Sequence, residues 1–311
     1  MQFSETMFNF DRQENHPDGF PLVLAVGVFD GVHLGHRKII ESARKMADDN
    51  GAEVCAVTFE PHPKSLFGEA PELLVNGVRR RKLLLQAGAD CTAFINFTAE
   101  TAALEPEEFL LRLINDPRFR LAGICVGEHW HFGSKGKGGK ELIETFSQKY
   151  GFLFCAVPEI EDGSDVISSS LIRSLIKAGS LDRAALLLSR NPELCGKVVR
   201  GFGVAGKELS APTANLNVEY GVIPPDGVYA ARVHLDGNTH AAAVNIGIAP
   251  TYGVGARRVE IHLLDWQGVL YGRELSLEIV RFVRKEQKFN GPSELKAQII
   301  KDIAFIKSAL E

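Results

Sequence analysis

The sequence is poor in cysteine, and its five cysteines show no pairing pattern. No CxxC pair occurs, the number is odd, and three of the five lie in apolar runs such as residues 54–57, which read VCAV. A disulfide framework normally shows an even number of cysteines in a small secreted chain. We therefore expect buried, reduced thiols.

An excess of basic residues is also missing. The chain has 35 Lys and Arg against 39 Asp and Glu, a formal net charge of -4, so it lacks the electrostatic footprint of a protein that binds nucleic acid or an anionic membrane. The basic run at residues 79–82 is short, and we interpret it as the solvated start of a helix. We expect neither nucleic acid nor a membrane as a partner.

Long apolar runs are absent, and the N-terminal residues lack the basic start and apolar block of a secretion signal. A cytoplasmic location is the expectation. With 311 residues, 45% of them hydrophobic and 24% charged, the chain has the composition of a globular protein and more length than one domain usually needs. Two domains are therefore expected.

The first half alternates apolar, strand-like runs with segments of helical periodicity. The strand-like runs are residues 22–26, 54–59, 92–97, 121–126 and 152–157. Helices are predicted after the first run and from about Arg80, Pro106 and Lys140. This βαβ rhythm predicts a parallel sheet covered on both faces.

The pattern changes near residue 189, where short strands with Gly, Pro and Asp turns begin. Residues 227–235 form one such strand, and Asp236-Gly237 is a hairpin signal. A final helix is predicted from about Pro292, with its apolar residues on one face. We predict domains at residues 1–188 and 189–311.

The first predicted strand runs into residues 27–36, GVFDGVHLGH, and then into a helix. Glycines at a strand's carboxyl end let backbone N–H groups approach a phosphate closely. His33 and His36 could donate hydrogen bonds to a phosphate as charge develops. They could instead only cap the helix, or bind a metal, although further metal ligands are missing from the motif.

Residues 167–173, ISSSLIR, open a later helix, where hydroxyls and free N–H groups favour anions and Arg173 follows one turn on. Serines at such a place can also be simple caps. Residues 57–63, VTFEPHP, end the second strand and could be a proline-stiffened loop with a surface histidine. Residues 126–138, VGEHWHFGSKGKG, follow a further strand, and there a packed loop is as reasonable as a direct role for His129.

The second half holds a glycine-rich segment, residues 196–209, followed by SAPTAN at 210–215. Glycines permit close backbone approach to phosphate, and the oxygens of Thr213 and Asn215 suit Mg²⁺. A glycine-rich hairpin with a neutral turn is the alternative. Residues 259–265, VEIHLLD, alternate as a strand that places Glu260, His262 and Leu264 on one face, and an exposed strand glutamate is common.

These motifs together resemble the bacterial bifunctional riboflavin kinase/FMN adenylyltransferase family, also called FAD synthetases. The matches extend from Gly27 to Phe289 and include residues 284–289, RKEQKF. The resemblance implies a Rossmann-like HxGH nucleotidyltransferase domain, then a six-stranded antiparallel β-barrel with a C-terminal helix. His129 and Trp130 depart from the family, which usually has Asp or Asn and then Phe.

The resemblance also implies roles for individual residues. The adenylyl-transfer residues would be His33, His36 and Arg173, with phosphate binding by Gly27, Phe29, Asp30, Gly31, Gly35, Ser168, Ser169 and Ser170. FMN would contact Phe59, Pro61, His62, Pro63 and His129. In the kinase, Glu260 would be the general base, the ATP-binding residues would be Gly201, Gly206, Lys207, Pro212, Thr213 and Asn215, and the flavin would contact Arg284, Glu286 and Phe289.

The implied function is MgATP-dependent phosphorylation of riboflavin to FMN, followed by adenylylation of FMN to FAD. Two alternatives stay open: a riboflavin kinase whose first domain has drifted, suggested by His129 and Gly136, and a regulator that binds flavin or nucleotide without turnover. The sequence does not predict the oligomeric state.

Overall fold

The computed structural model describes residues 8–11, 19–199, 213–248 and 257–310. The chain divides into two compact units, Met1–Pro71 with Asn76–Ser168, and Glu72–Val75 with Ser169–Glu311. Residues 169–188 thus group with the second unit, and the domain boundary that we predicted after residue 188 remains a proposal.

The first unit alternates strands and helices. In chain order they are β1 Phe8–Asp11, β2 Phe20–Val26, α1 Leu34–Asp49, β3 Glu53–Glu60, α2 Gly77–Gln86, β4 Cys91–Asn96, α3 Ala99–Ala103, α4 Pro106–Ile114, β5 Phe119–Gly127, α5 Lys140–Tyr150, β6 Leu153–Val157, and the short hairpin of β7 Glu161–Asp162 and β8 Asp165–Val166. Two 3-10 helices, Pro63–Phe67 and Ser134–Gly136, lie in the loops.

Six of these strands form one sheet in the order β1-β4-β3-β2-β5-β6. Strands β2 to β6 are parallel, which confirms the predicted βαβ architecture. The edge strand β1 pairs antiparallel with β4 and was not predicted. With only four residues it is too short for periodicity to reveal it.

The order of strands places a crevice beside β2. From β2 the chain adds β3 and β4 on one side, and then returns to add β5 and β6 on the other. Ligands bind in open α/β sheets beyond the carboxyl ends of the strands at such a switch point. Strand β2 is buried from Leu22 to Val26, and helix α1 covers the sheet with Ile39, Ile40, Ala43 and Ala47.

The second unit is built around a closed barrel. It comprises α6 Ser169–Lys177, α7 Leu181–Leu188, β9 Glu193–Val199, β10 Thr213–Tyr220, β11 Gly227–Leu235, β12 Asn238–Ile248, β13 Arg257–Leu263, β14 Glu274–Arg284 and α8 Pro292–Leu310. The six strands close in the order β10-β13-β12-β11-β14-β9, with every neighbouring pair antiparallel. The predicted six-stranded barrel is therefore confirmed.

Local sequence explains the hairpin between β11 and β12. Asp236 and Gly237 have φ angles of 51° and 79°, and a two-residue turn with both φ angles positive matches the twist of the flanking strands. The predicted strand 259–265 is shorter than expected, because β13 ends at Leu263. Leu264, just past the end of the strand, is buried in a cluster with Ala230 of β11 and Ile306 of α8. Ala230 is opposite Ala243, which is itself opposite His262, so Leu264 packs on the barrel face that carries His262.

Helix α8 packs against the barrel along the predicted apolar face, on which Ile306 is fully buried and Leu295, Ile299 and Ile303 are half-buried. None of the helices in the described ranges has the length and apolar character needed to cross a bilayer. All five cysteines are free; Cys55, Cys91 and Cys125 are buried, and burial raises the pKa of the Cys125 thiol.

Candidate active sites

The histidine turn, residues 27–36, begins at the carboxyl end of β2. Three of its residues have positive φ angles: Phe29 at 53°, Gly31 at 83° and Val32 at 44°. For Phe29 and Val32 this is an unfavourable backbone conformation, of the kind that persists only where the surrounding structure imposes it. The turn is anchored by bonds from Gly27 N to Val57 O at 3.1 Å and from Val32 N to Phe29 O at 3.2 Å.

The two histidines of this turn lie against each other. Their rings stack at 22° with centroids 3.6 Å apart, and the Phe29 ring is nearly perpendicular to that of His36, with centroids 5.2 Å apart. His33 occupies the N-cap position of α1, but its side chain makes no capping hydrogen bond. The capping alternative therefore does not account for the pair, and no cluster of metal-binding side chains occurs in the described ranges.

His36 is held neutral by its surroundings. Desolvation lowers its pKa well below the usual value, and the nearby His33 and Arg80 lower it further. Its Nδ1 is inaccessible to solvent and has no hydrogen-bond partner within the described part of the chain. A neutral imidazole can donate one N–H to an anion.

Our interpretation of the basic run, residues 79–82, as a solvated helix start is wrong for Arg80. The run does begin a helix, α2, but Arg80 is buried, with 3% of its surface exposed. Its Nη1 donates to Val28 O at 3.3 Å and its Nη2 to Phe59 O at 2.9 Å. The guanidinium is buried because these carbonyl groups replace water as its hydrogen-bond acceptors.

Residues 59–63 follow β3 at the same edge of the sheet. Phe59 is buried, whereas Pro61 is exposed. His62 is half-buried and caps the 3-10 helix Pro63–Phe67, because its Nδ1 accepts a bond from Lys64 N at 3.2 Å. The structure thus gives His62 a local structural role in addition to any contact with a ligand.

His129 follows β5 and is exposed. Its side chain is 68% exposed, and its Nε2 lies 3.9 Å from a carboxylate oxygen of Glu159. Trp130 points to the interior side of the same loop, where its ring stacks on Phe132 at 4.7 Å. The two departures from the family pattern therefore differ in kind: the tryptophan packs and the histidine faces solvent.

The predicted anion-binding segment with three serines, residues 167–173, lies partly in each compact unit. In the first, a Cβ placed on Gly35 would lie 3.5 Å from the Ile167 carbonyl, so the chain leading into Ser168 lies against the histidine turn. In the second, α6 begins at Ser169, and Arg173 Nη1 donates to Ser170 Oγ at 3.4 Å. Arg173 Nε also donates to Glu72 O at 2.8 Å.

In the barrel, one row of polar residues crosses three strands. Glu260 on β13 is directly opposite Asn215 on β10 and Asn245 on β12. Directly opposed residues share a face of the sheet. Asn215 Oδ1 is buried and finds no hydrogen-bond partner among the described residues, and Glu260 accepts a bond from Arg258 Nη1 at 2.9 Å.

A cavity of about 290 Å³ lies between this row and helix α8. The predicted base Glu260 lines it together with all three predicted flavin contacts, Arg284, Glu286 and Phe289. Arg284 is fixed by buried Asp302 of α8 at 2.9 Å. The Arg284 guanidinium carbon lies 5.8 Å from the Phe289 ring centroid.

Glu286 is held at the barrel wall by Asn245. Asn245 Nδ2 donates to Glu286 Oε1 at 3.3 Å. A Cβ on Gly247 would overlap the same carboxylate, so the glycine is needed for this close approach. Sequence reasoning missed Asn245, although its place opposite Glu260 could have been found once the strand register was known.

Several predicted kinase residues lie outside the described residues: Gly201, Gly206, Lys207 and Pro212. Thr213 is described only through its backbone, as the first residue of β10 opposite His262. The ATP-binding loop thus remains a prediction.

Comparison with known proteins gives the same order of domains. A family model described as FAD synthetase matches residues 16–171, and one described as riboflavin kinase matches residues 188–310. A crystal structure named macrolide-efflux protein from Streptococcus pneumoniae is 26% identical, with a TM-score of 0.81 over 94% of this chain and 95% of that one.

Curated relatives are similar over almost their whole length. The bifunctional riboflavin kinase/FMN adenylyltransferase of Pseudomonas fluorescens is 32% identical over 93% of each chain. Those of Bacillus subtilis and Escherichia coli K12 are each 32% identical over 90% of both chains. With its α/β unit, its closed barrel and these relatives, the chain belongs to the bifunctional riboflavin kinase/FMN adenylyltransferase family.

Proposed function

We propose that the two units catalyse successive steps, in which the barrel phosphorylates riboflavin to FMN and the α/β unit adenylylates FMN to FAD. The observation that carries the proposal is the cavity between the barrel and helix α8. Glu260 lies at least 24 residues from Arg284, Glu286 and Phe289 along the chain, yet all four line one space of about 290 Å³. A pocket with a few convergent polar groups is typical of a ligand site.

In the kinase step, Glu260 takes the proton from the riboflavin 5′-hydroxyl as that oxygen attacks the γ-phosphate of ATP. The bond from the γ-phosphorus to the bridging oxygen breaks, and ADP leaves. Arg258 Nη1 lies 2.9 Å from the Glu260 carboxylate and helps to hold it in place. Arg284, Glu286 and Phe289 orient the flavin, while Asn245 holds Glu286 in place.

Mg²⁺ is the metal that we propose for this step, with ligands from Thr213 and Asn215. The buried Asn215 Oδ1 without a partner in the described residues fits a hard cation. When bound, the metal would neutralise charge on the ATP phosphates. The predicted loop residues Gly201, Gly206, Lys207 and Pro212 would contact the same nucleotide.

In the adenylyl-transfer step, the FMN phosphate attacks the α-phosphate of ATP in line, and pyrophosphate leaves. The protein's part is positioning and stabilisation of charge. His33, His36 and Arg173 donate to the phosphates, supported by the backbone of the histidine turn and by Ser168, Ser169 and Ser170. The segment 59–63 and His129 contact FMN.

The formal net charge of -4 argues against nucleic acid or an anionic membrane as a partner. A cytoplasmic location is part of the same proposal. Its substrates are riboflavin, FMN and ATP.

Incubating the purified protein with riboflavin, ATP and Mg²⁺, and separating the flavins by chromatography, tests the proposal. FAD as the end product supports it. FMN alone identifies a kinase with a drifted first domain, and no product identifies a binding protein. A parallel reaction that starts from FMN measures the second step alone, and a reaction with EDTA measures the dependence on metal.

A further inference from the structure

Arg80 joins two segments that carry different parts of the adenylyltransferase site. Its Nη1 binds the carbonyl of Val28 in the histidine turn, and its Nη2 binds the carbonyl of Phe59, at the start of the segment proposed to contact FMN. Val28 follows the carboxyl end of β2, and Phe59 lies near the carboxyl end of the neighbouring strand β3. One side chain from α2 therefore connects both strand ends.

Further contacts surround the Arg80 guanidinium and the Val28 carbonyl. The Val28 carbonyl also accepts a bond from Thr58 Oγ1 at 2.8 Å, and Thr58 is fully buried. The Arg80 guanidinium lies 5.4 Å from the centroid of the Phe94 ring on β4. Held from several sides, it has little freedom to move without moving the turn.

The Arg80 guanidinium keeps its positive charge although it is buried. Burial lowers the pKa of Arg80, while the carboxylates of Glu60 and Asp30 oppose that shift. Guanidinium groups remain protonated in proteins, and their planar shape can donate to two acceptors at once. A lysine would keep the charge but could not reproduce both bonds in this geometry.

We propose that Arg80 is a positioning residue for FMN adenylylation, which fixes the turn bearing His33 and His36 relative to the FMN-contacting segment 59–63. This inference rests on the proposed function of the first unit. With 3% of its surface exposed, Arg80 does not reach a substrate, so it acts through the two carbonyls that it binds. Small displacements of positioned groups strongly reduce rates of transfer.

The test compares Arg80→Lys and Arg80→Met with Lys82→Met, a control that removes an exposed positive charge from the same helix. For each full-length protein, kcat and KM for FMN are measured in the adenylylation reaction. Riboflavin phosphorylation in the same preparation reports on the second unit, and thermal unfolding with hydrogen exchange of β2 and β3 reports on the fold of the first.

We expect both Arg80 variants to stay folded, to phosphorylate riboflavin normally, and to lose about 10- to 100-fold in kcat/KM for FMN, in kcat as well as KM. Lys82→Met should match the parent. Arg80→Lys should not restore activity, because charge alone does not bridge the two carbonyls.

Two outcomes overturn the inference: folded Arg80 variants whose kcat and KM lie within about twofold of the parent, or variants in which both substitutions unfold the first unit, which would make Arg80 a residue of folding alone. A failure of the proposed function would give a different result from these two outcomes, because the parent protein itself would then form no FAD.

Discussion

The rings of His33 and His36 stack with their centroids 3.6 Å apart, at the start of the helix that follows β2. Two imidazolium charges at this separation would repel, and the same turn is desolvated and close to Arg80. The pair is therefore suited to meet an anion with a neutral His36 that becomes a better donor as negative charge develops nearby.

This arrangement predicts a pH dependence of stability. Because the folded-state pKa of His36 lies well below its unfolded value of about 6.5, the unfolded chain binds a proton that the folded chain does not. The free energy of unfolding should therefore fall as the pH drops below about 6.5, and the loss should continue down to the folded pKa. Thermal unfolding between pH 7.5 and pH 5.0 measures it.

His36→Gln should weaken this dependence, whereas His131→Gln, which removes an exposed histidine of the same unit, should leave it unchanged. An identical pH dependence in the parent and in His36→Gln would contradict the assignment to His36.

His36→Ala should reduce formation of FAD from FMN by about 10²- to 10³-fold, the usual effect of removing a donor that stabilises transition-state charge. Formation of FMN from riboflavin should stay within about twofold of the parent, because Glu260 and its cavity belong to the second unit. Separate assays that start from riboflavin and from FMN measure the two rates. Loss of both activities together would refute the division of labour.

Glu260→Gln should slow the phosphorylation of riboflavin and spare the formation of FAD from FMN. Replacing the carboxylate with an amide keeps its shape but removes the base, so riboflavin phosphorylation should fall by about 10²- to 10⁴-fold while FAD formation from supplied FMN persists. Glu278→Gln is the matched control, since Glu278 is also a strand glutamate bonded to a basic side chain, His234, at 2.9 Å. Equal effects of the two substitutions would remove the case for Glu260 as the base.

Gly247→Ala should weaken the binding of riboflavin. The new Cβ would overlap the Glu286 carboxylate and displace it from Asn245. We expect KM for riboflavin to rise about tenfold, equivalent to roughly 1.4 kcal/mol, with little change in thermal unfolding because the displaced group is the end of a flexible side chain.

Gly291→Ala serves as the control for Gly247→Ala, because a Cβ there meets nothing within 4 Å. A riboflavin KM unchanged by Gly247→Ala would show that riboflavin binding does not depend on the observed position of Glu286.

Local patterns in the sequence were sufficient for the five parallel strands of the first unit, for several of the helices and for the order of the domains. Continuous apolar runs identified β2 to β6, and Asp236-Gly237 identified the hairpin of β11 and β12, because strand burial and turn conformation depend on neighbouring residues. The histidine turn was also visible, since its glycines and histidines are contiguous. The resemblance to the family followed from these contiguous motifs.

Only the tertiary structure decided how distant residues meet. Arg80 looked like one of four solvated basic residues, and its burial depends on carbonyls of Val28 and Phe59 that lie far from it in the chain. The stacking of His33 on His36 and the positive φ angles of Phe29 and Val32 in the same turn were not specified by the motif. The cavity of Glu260 exists because strand register and helix α8 bring separate segments together. Periodicity and motifs report on local preference, whereas burial of a charge and the closing of a cavity depend on packing between segments that no local pattern connects.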